Sequence, residues 1–429
     1  MSAAWTERPD LDAIADMWAA VRNSEVDVGS ATSVVVHDLD LQRRRFDELR
    51  AAFPDSALHG IAVKANPLVE VLRPFVVDGA GCEVASLEEL HIALLAGCEP
   101  RRIVFDSPAK TNEELRFALE RNVTINVDNL DELDRIDALA LDSRSAIGVR
   151  INPAVGDGTI QATSVGGRGS RFGIPADALL AHLAVRSEGV PVTGLHAHVG
   201  SQGCTLEQLV GGALELQRVR AAVDALHGTQ SIEFVDVGGG LPTDYGIDAA
   251  APTIGDYAEA LRIAVPELFD GNVHLITEFG RSLLAGCGVA LSRVEYVKHV
   301  DGDDVVVIHL GADFLLRAAY QPDSWPYRFS LLDADGRPKR DAAQRCTVAG
   351  PLCFAGDVIG SDVPLGDVDV GDWIIIHDVG AYTYSMWSRH CSRGMPPIVG
   401  VDGRQCRLLR AAERAEDVAR SWTTAAWRR

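Results

Sequence analysis

Eight short apolar runs, separated by stretches with helical periodicity, follow one another between residues 58 and 278. Each run is too short for a buried helix and lacks the polar alternation of a half-exposed strand, which favours a strand buried on both faces. The predicted strands are 58–63, 81–84, 103–105, 123–127, 146–151, 192–198, 232–237 and 273–278. Eight strand–helix units in roughly 230 residues fit a closed (β/α)8 barrel.

The pattern changes after Arg281, where Val, Ile and Gly dominate and Asp-Gly turn signals recur. These features indicate strands of a mostly antiparallel sheet. We therefore predict an α/β protein with a TIM-like (β/α)8 barrel over residues 34–285 and a C-terminal β domain over residues 286–429. Residues 1–36 predict a helix followed by a strand, and both are candidates to join the β domain.

Charge and cysteine content narrow the classes of function. Lys and Arg number 40 against 61 Asp and Glu, a net charge of −21 that argues against an extended nucleic-acid or anionic-membrane surface. No uncharged apolar run reaches about 18 residues, and no basic segment precedes an apolar core at the N-terminus, so we expect neither a membrane span nor a secretory signal. The eight cysteines form no CxxC pair and no zinc spacing, which favours reduced thiols, a cytoplasmic setting and no metal site.

Polar residues stand where the predicted barrel strands end. They are Lys64, Glu83, Ser86, Asp106, Asn126, Asp128, Arg150, His198, Ser201, Gly238, Gly239, Gly240, Glu278 and Arg281. Because active sites of (β/α)8 barrels are built at the C-terminal ends of the strands, these side chains are expected to meet on one face.

Four of these features carry chemistry, and each also has a purely structural explanation. Lys64 closes an apolar strand, where a lysine either reacts as a Schiff base or forms a buried ion pair. The turn 238–240 offers backbone N–H groups to a phosphate, although a tight turn needs glycine anyway. His198 is either a catalyst or a hydrogen-bonded barrel histidine, and Glu278 is a buried carboxylate that needs a cationic partner.

Seven motifs occur in one order along nearly the whole chain. They are AVKAN at 62–66, GCEVASLEEL at 81–90, GLHAHVGSQ at 194–202, DVGGGLP at 236–242, EFGRSL at 278–283, GPLCFAGD at 350–357 and DVGAYTYSM at 378–386. With them the sequence resembles the alanine-racemase-fold (fold type III) pyridoxal-phosphate-dependent decarboxylases, which include diaminopimelate decarboxylase and ornithine decarboxylase. EFGR departs from the family's EPGR at Phe279.

The resemblance implies pyridoxal 5'-phosphate as the cofactor. Lys64 would bind it as a Schiff base, His198 would stack on its ring and Glu278 would bond the ring nitrogen. The other positions at which the resemblance implies cofactor contacts are Glu83, Arg150, Ser201, Gly238, Gly239, Gly240 and Tyr382.

Glu278 and Cys353 separate decarboxylation from racemisation. A carboxylate on the ring nitrogen keeps it protonated and makes the ring a strong electron sink, whereas the racemases of this fold place an arginine there.

Cys353 matches the thiol that protonates the substrate carbon in the similar decarboxylases, where it comes from the partner subunit. The resemblance therefore implies a homodimer with shared sites. An amino-acid racemase and a non-catalytic cofactor-binding relative are the alternatives of other classes.

The remaining departures concern the substrate. Phe354 stands where diaminopimelate decarboxylases carry Glu and ornithine decarboxylases carry Asp, and it cannot neutralise an ammonium. The candidate substrate-binding residues are Phe354, Arg281, Arg317, Tyr320 and Asp357, with the two arginines suited to a distal carboxylate. We therefore expect an α-decarboxylase of an amino acid or amino-acid-like substrate without a free distal ammonium, one bearing a carboxylate, an acylated amine or a carrier-tethered group in specialised biosynthesis. Diaminopimelate decarboxylase of lysine biosynthesis is the alternative.

Overall fold

A computed structural model describes residues 3–139, 142–245, 251–340 and 344–424. These residues form two compact units. We call the first the barrel unit; it takes the described residues within Met1–Thr6, Arg43–Thr243 and Ala251–Leu283. The second, the β unit, takes those within Glu7–Gln42, Asp244–Ala250 and Leu284–Arg429.

The barrel unit is a closed ring of eight parallel strands, as predicted. Its strands are Leu58–Ala62, Gly81–Val84, Ile103–Asp106, Thr124–Val127, Ile147–Asn152, Gly194–His196, Phe234–Asp236 and His274–Thr277. Neighbours in the chain are neighbours in the sheet, and the ring closes where Ile276 pairs with Leu58. A two-residue strand, Ile174–Pro175, pairs with the outer part of Ile147–Asn152. The confirmed fold class explains why the apolar runs are continuous, since these strands are covered on both faces.

Nine helices cover the barrel in the described residues: Leu39–Ala52, Val69–Val77, Leu87–Leu95, Asn112–Leu119, Leu130–Leu139, Ala176–Val185, Leu206–His227, Ile254–Ala264 and the single turn Arg281–Leu284. Several of them begin at a side-chain cap. Ser86 Oγ accepts a hydrogen bond from the Glu89 N–H and so starts the helix that follows the second barrel strand. Ser86, a polar strand end in the sequence, therefore acts as a helix cap.

Inside the barrel, an apolar layer lies directly below a polar one. The ring of Phe234 packs with Leu58, Val104 and Ile276 and fills the space that Gly148 leaves open: a Cβ on that glycine would lie 2.8 Å from the ring. Side chains two residues apart on a strand share a face. The next inward positions are therefore Asp106, His196 and Asp236, all buried, and the site begins at this polar layer.

The β unit contains two sheets. In order across the sheet, the larger one consists of Pro338–Lys339, Phe329–Leu332, Trp373–Ile376, Gly288–Arg293, Ser33–Asp38, Ile398–Asp402 and Gln405–Arg410. The smaller consists of Tyr296–Val300, Asp303–Val307, Arg345–Ala349 and Val358–Pro364. All neighbours are antiparallel except Ser33–Asp38 with Ile398–Asp402 and Asp303–Val307 with Arg345–Ala349.

The strand predicted at 34–36 lies near the middle of the larger sheet, within Ser33–Asp38. The contact with Gly288–Arg293 runs from Ser33 opposite Ser292 to His37 opposite Gly288. This is the alternative placement offered for residues 1–36, whereas the predicted barrel range of 34–285 would have put the strand in the first domain. The exact domain bounds 34–285 and 286–429 stay predictions.

A helix at Leu11–Asn23 packs on the same sheet. Its face of Ile14, Trp18 and Val21 is buried, and the Trp18 ring lies 4.9 Å from that of Trp373, centroid to centroid. The β unit's other helices are Leu316–Tyr320 and Ala415–Ser421, and the short helix Ala3–Thr6 belongs to the barrel unit. Among the described residues, no helix has the length and apolarity that crossing a bilayer would need.

Candidate active site

Lys64 lies just beyond the first barrel strand, in the single 3-10 turn Val63–Ala65. Its Nζ donates to Glu83 Oε1 at 2.5 Å, and its side chain is 34% exposed while that of Glu83 is fully buried. Burial raises the pKa of Glu83 to about 8, although the ammonium of Lys64 opposes the rise. The amine is therefore held by a buried carboxyl and still reaches open space.

Lysine is scarce in this chain, which makes Lys64 stand out. There are four lysines, and all of them lie in the described ranges. Lys110 is fully buried, where it pairs with Glu132 Oε1 at 2.6 Å and donates to two backbone carbonyls. Lys298 and Lys339 belong to strands of the β unit. Lys64 is thus the one lysine of the barrel unit that is partly exposed, and the ion-pair explanation fits the fully buried Lys110 better.

Glu278 follows the last barrel strand and is buried at the centre of the polar layer. Its Oε2 lies 3.6 Å from His196 Nε2 and 3.8 Å from His198 Nδ1. Within the described residues, neither carboxylate oxygen accepts a hydrogen bond. A buried carboxylate in this state requires a donor, and a protonated pyridine nitrogen is such a donor.

His196 is a functional candidate that the sequence reasoning missed. It lies on the strand Gly194–His196, two residues before His198, and it is fully buried. Its Nδ1 is 3.7 Å from Asp106 Oδ1, so the ring lies between two carboxylates. The signal was available, because side chains two apart on a strand share a face and GLHAH repeats its histidine at that spacing.

The two histidines have opposite electrostatic surroundings. Burial opposes a charge on His196, but Asp106 and Glu278 outweigh it and raise its pKa to about 9. Burial and the nearby ammonium of Lys64 lower the pKa of His198 to about 3. The backbone N–H of Gly239 donates to His198 Nδ1 at 3.3 Å, which also requires that nitrogen to be unprotonated.

His196 and Arg150 in turn lower the pKa values of two carboxyls of the site. Burial opposes the ionisation of Glu278, while His196 lowers its pKa below the ordinary value. Burial likewise opposes the ionisation of Asp106, but Arg150 and His196 hold its pKa below the usual range. For Asp236 the net effect is the opposite: burial and the neighbouring Glu278 carboxylate raise its pKa above the ordinary value.

Arg150, predicted near the cofactor ring, lies between two carboxylates at the barrel end. Its Nη1 is 3.5 Å from Asp106 Oδ2 and 3.6 Å from Asp128 Oδ1, and its guanidinium lies over the ring of Phe172. Asn126 Nδ2 donates to Asp236 Oδ2 at 3.1 Å in the same layer. The predicted strand-end residues Arg150, Asp106, Asp128 and Asn126 therefore meet in the polar layer.

The turn 238–240 is tight enough to exclude side chains. A Cβ on Gly239 would lie 2.0 Å from the carbonyl oxygen of Glu278, and one on Gly240 would lie 2.2 Å from that of Gly200. The N–H groups of Gly238 and Gly239 donate to Asp236 and His198. Two of the three amides expected to face a phosphate are therefore engaged within the chain, one by the end of the preceding strand and one by the residue His198 beyond the neighbouring strand.

Gly239→Ala is expected to lower the cofactor content and the thermal midpoint, since the added Cβ must displace the Glu278 backbone at a cost of about 1–3 kcal/mol. The matched control is Gly255→Ala in the helix Ile254–Ala264, where the nearest atom would be Thr253 Oγ1 at 3.7 Å. Cofactor absorbance after gel filtration and a thermal melt give the comparison. Full cofactor retention in Gly239→Ala would contradict the importance of this turn.

Arg281 and Ser201 are brought together beside the glycine turn. Arg281 is buried, and its Nε donates to Ser201 Oγ at 3.1 Å. Phe279, the departure from the family's proline, is explained by packing: its ring meets those of Trp5, Phe53 and Tyr257 edge-on or tilted at centroid distances of 6.0–6.5 Å. This substitution fills the barrel core and does not alter a polar group.

In the β unit, Cys353 is exposed and Phe354 beside it is half-buried. The Phe354 ring stacks on Tyr320 at 5.7 Å and 18°, and it meets His390 edge-on. Asp357 is buried, and its two carboxylate oxygens accept the N–H groups of Ala312 and Leu352, each at 2.6 Å. One oxygen therefore holds the segment at Ala312 and the other holds the turn that carries Cys353, so both are engaged within the chain, and the contact of Asp357 with substrate stays a prediction.

Arg317 and Tyr382 form a second cluster of the β unit. The Arg317 guanidinium lies 4.6 Å from the Trp325 ring centroid and 5.1 Å from that of Tyr382. Tyr382 has a φ of +57°, a left-handed conformation that few tyrosines adopt. Two aromatic rings therefore contact the guanidinium of Arg317.

The barrel site meets the needs of an aldehyde cofactor with a phosphate and a ring nitrogen. It offers an accessible amine on Lys64, a buried carboxylate on Glu278 that lacks a hydrogen bond within the described residues, and a glycine turn at strand ends. These are the groups that pyridoxal phosphate requires from a protein. Fold and site together therefore describe an enzyme that works through this kind of cofactor.

Comparison with known proteins agrees with this description. The family model described as "Pyridoxal-dependent decarboxylase, pyridoxal binding domain" matches residues 39–285. The chain belongs to this family. It is therefore a pyridoxal-phosphate-dependent carboxy-lyase that acts on an amino acid, which confirms the predicted family, cofactor and reaction class.

Individual relatives cover most of the chain. It is 34% identical to diaminopimelate decarboxylase from Pseudomonas aeruginosa over 388 residues, 89% of each chain, and 31% identical to the Archaeoglobus fulgidus protein of that name over 95% of this chain and 96% of the other. Among solved structures, diaminopimelate decarboxylase from Helicobacter pylori complexed with L-lysine superposes with a TM-score of 0.83 at 26% identity, over 94% of this chain and 98% of that one.

Proposed function

We propose that this enzyme removes a carboxyl group from meso-diaminopimelate. The observation that carries the proposal is the similarity to diaminopimelate decarboxylases, at 31% identity or more over most of both chains in bacterial and archaeal relatives. The substrate has a carboxylate at its distal end, and the chain offers arginines at two of the predicted substrate positions, Arg281 and Arg317. This was the alternative in the sequence analysis, and the relatives favour it over the specialised substrate.

The residues of the barrel unit have complementary roles in this proposal. Lys64 would bind the cofactor through its Nζ, and the neutral ring of His198 would pack against the cofactor ring. Glu278 would hold a proton on the ring nitrogen, and Arg150 pairs with the neighbouring Asp106. Bound pyridoxal phosphate supplies an electron sink for the pair left on the substrate carbon when carbon dioxide departs.

The phosphate and the final proton complete the proposed assignment. We propose that the turn 238–240, Ser201 and Tyr382 hold the phosphate, and that the Cys353 thiol delivers a proton to the substrate carbon. Two chains would share their sites in a homodimer, which multi-angle light scattering on the purified protein measures directly. A monomer at all concentrations would contradict the shared site.

A second candidate substrate is favoured by Phe354. Phe354 stands where the family carries Glu or Asp for a distal amine, so this position has no carboxylate. Its ring stacks on Tyr320 and forms an apolar surface instead. An amino acid with an acylated amine, a distal carboxylate without an amine, or a carrier-tethered group would fit this apolar surface better. Such a substrate predicts an enzyme of specialised biosynthesis.

Carbon dioxide release separates the two candidates. The panel consists of meso-diaminopimelate, ornithine, lysine, arginine, glutamate and an Nε-acylated lysine. The last two are the probes that lack a free distal ammonium. We expect kcat/KM for meso-diaminopimelate to exceed the others by at least about tenfold, a difference of about 1.4 kcal/mol in transition-state binding. Faster turnover of the last two compounds would instead establish the second candidate.

Phe354→Glu tests whether this position reads the distal end. We expect kcat/KM for substrates with a distal ammonium to rise by about tenfold, because the new carboxylate would pair with that charge. Phe354→Leu is the matched control, since it keeps an apolar side chain and only removes the ring contact with Tyr320. Identical substrate profiles in both variants would show that Phe354 does not contact the substrate.

A further inference from the structure

The most unusual group of the barrel site is the fully buried imidazole of His196, which the family resemblance leaves without a role. One ring nitrogen faces Asp106 at 3.7 Å and the other faces Glu278 at 3.6 Å. A neutral imidazole has one N–H donor and one lone pair, so it can satisfy an acceptor on one side only. Two carboxylates on opposite sides therefore select the doubly protonated ring.

We propose that His196 is a positioning residue that carries a fixed positive charge between Asp106 and Glu278 and thereby keeps the Glu278 carboxylate ionised toward the cofactor ring nitrogen. The inference rests on the proposed role of Glu278 and adds a residue that maintains it. Without an opposing charge, a buried Glu278 would take up a proton itself and could no longer hold one on the ring.

The other positive charges act less on Glu278 than His196 does. One oxygen from each of Glu83, Asp106 and Glu278 lies within 4.8 Å of the other two, and carboxyls this close can be ionised together only where positive charge offsets their repulsion. Lys64 is bound to Glu83, and Arg150 is closest to Asp106 and Asp128. Lys64 also lowers the pKa of Glu278, but His196 is the larger stabilising influence on its ionised form.

His198 does not supply the missing charge either. Its Nδ1 accepts the Gly239 N–H and its pKa is lowered to about 3, so it is neutral at physiological pH. The pKa of His196 lies on the other side of neutrality, at about 9. The charged groups that act on His196 directly are Asp106, Glu278 and Asp236, and His198 is its neighbour on the same strand face. Lys64 and Arg150 act on His198, and Glu83 lies beside Asp106 and Glu278.

Nuclear magnetic resonance of the full-length holoenzyme tests the charge directly. The ring Cε1–H signals of the 12 histidines are labelled with ¹³C, and His196→Gln assigns the signal of interest. We expect His196 to remain an imidazolium at pH 7, to titrate only above pH 8, and to do so with or without pyridoxal phosphate. A neutral His196 at pH 7 in the holoenzyme would overturn the proposal. Because no substrate is present, a wrong substrate assignment leaves this result untouched.

The charge should also appear in the stability of the protein. A histidine with pKa 6.5 when unfolded and about 9 when folded stabilises the folded state fully below pH 6.5, and loses this contribution as the pH rises through about 9. The free energy of unfolding should therefore fall over this window in the wild type and fall less in His196→Gln. Equal slopes in the two proteins would overturn the proposed charge.

Kinetics separate a positioning role from a merely structural one. In His196→Gln, the acid limb of kcat/KM should move up by at least about one pH unit, because Glu278 then protonates more easily. His59→Gln is the matched control, since His59 is a buried barrel histidine with a pKa lowered to about 4 and bonds Thr277. An unmoved limb in His196→Gln, or an equal shift in His59→Gln, would overturn the role.

Discussion

Replacing Lys64 with alanine should abolish decarboxylation and remove the visible absorption band of the lysine-bound cofactor. Of the chain's four lysines, all of them described, Lys64 is the only one in the barrel unit whose side chain reaches open space, because Lys110 is fully buried. The loss of covalent cofactor binding should lower kcat by on the order of 10³-fold or more. Steady-state carbon dioxide release and the absorption spectrum before and after borohydride measure both effects.

The control for Lys64→Ala is Lys298→Ala, an exposed lysine of the β unit. It should retain the band and the activity, because it has no part in the site. Circular dichroism shows whether Lys64→Ala folds, which we expect because Glu83, left without the ammonium, can become neutral by taking up a proton. A folded Lys64→Ala protein that keeps a borohydride-sensitive band would refute the assignment of Lys64.

Replacing Cys353 with alanine should slow product formation by about 10²–10⁴-fold, the usual effect of losing a general acid. Its thiol is exposed, as a proton donor that must reach a substrate needs to be. The absorption band should stay intact because cofactor binding does not depend on this residue. In deuterium oxide, the stereochemistry of the label in the product reports whether protonation has been diverted to another donor.

Cys391→Ala provides the comparison, since Cys391 is also an exposed cysteine of the β unit. Its activity and label stereochemistry should match those of the wild type. Cys353→Ser tests the acidity of the group at the same position, and should recover little activity because a hydroxyl is a much weaker acid than a thiol. An unchanged rate and product in Cys353→Ala would remove this residue from the mechanism.

The barrel was predictable because burial of parallel strands leaves a signal in a single sequence. The second strand was placed at 81–84, where the structure has Gly81–Val84. The sixth was placed at 192–198, but only Gly194–His196 is strand. An apolar run reports burial, and burial continues past the residues whose backbone belongs to the ladder, so strand ends are the weaker part of such a prediction.

The protonation of the site was not predictable, since it depends on residues that meet only after folding. His196 and His198 look alike in GLHAHVG, yet one is surrounded by Asp106 and Glu278 and the other by Lys64 and the Gly239 amide. Their partners come from strands up to 130 or so residues away in the chain. Asp357 shows the same limit, because its two backbone partners could not be read from a motif.

The scarcity of lysine has a practical consequence for anyone handling this protein. Amine-reactive reagents have only four ε-amino targets, and the one at Lys110 is fully buried. Reductive methylation followed by peptide mass spectrometry should therefore give a short, readable record: modification at Lys298 and Lys339 in every sample, and modification at Lys64 only in molecules without cofactor. The ratio of modified to unmodified Lys64 peptide then counts the loaded fraction of a preparation without any enzymatic assay.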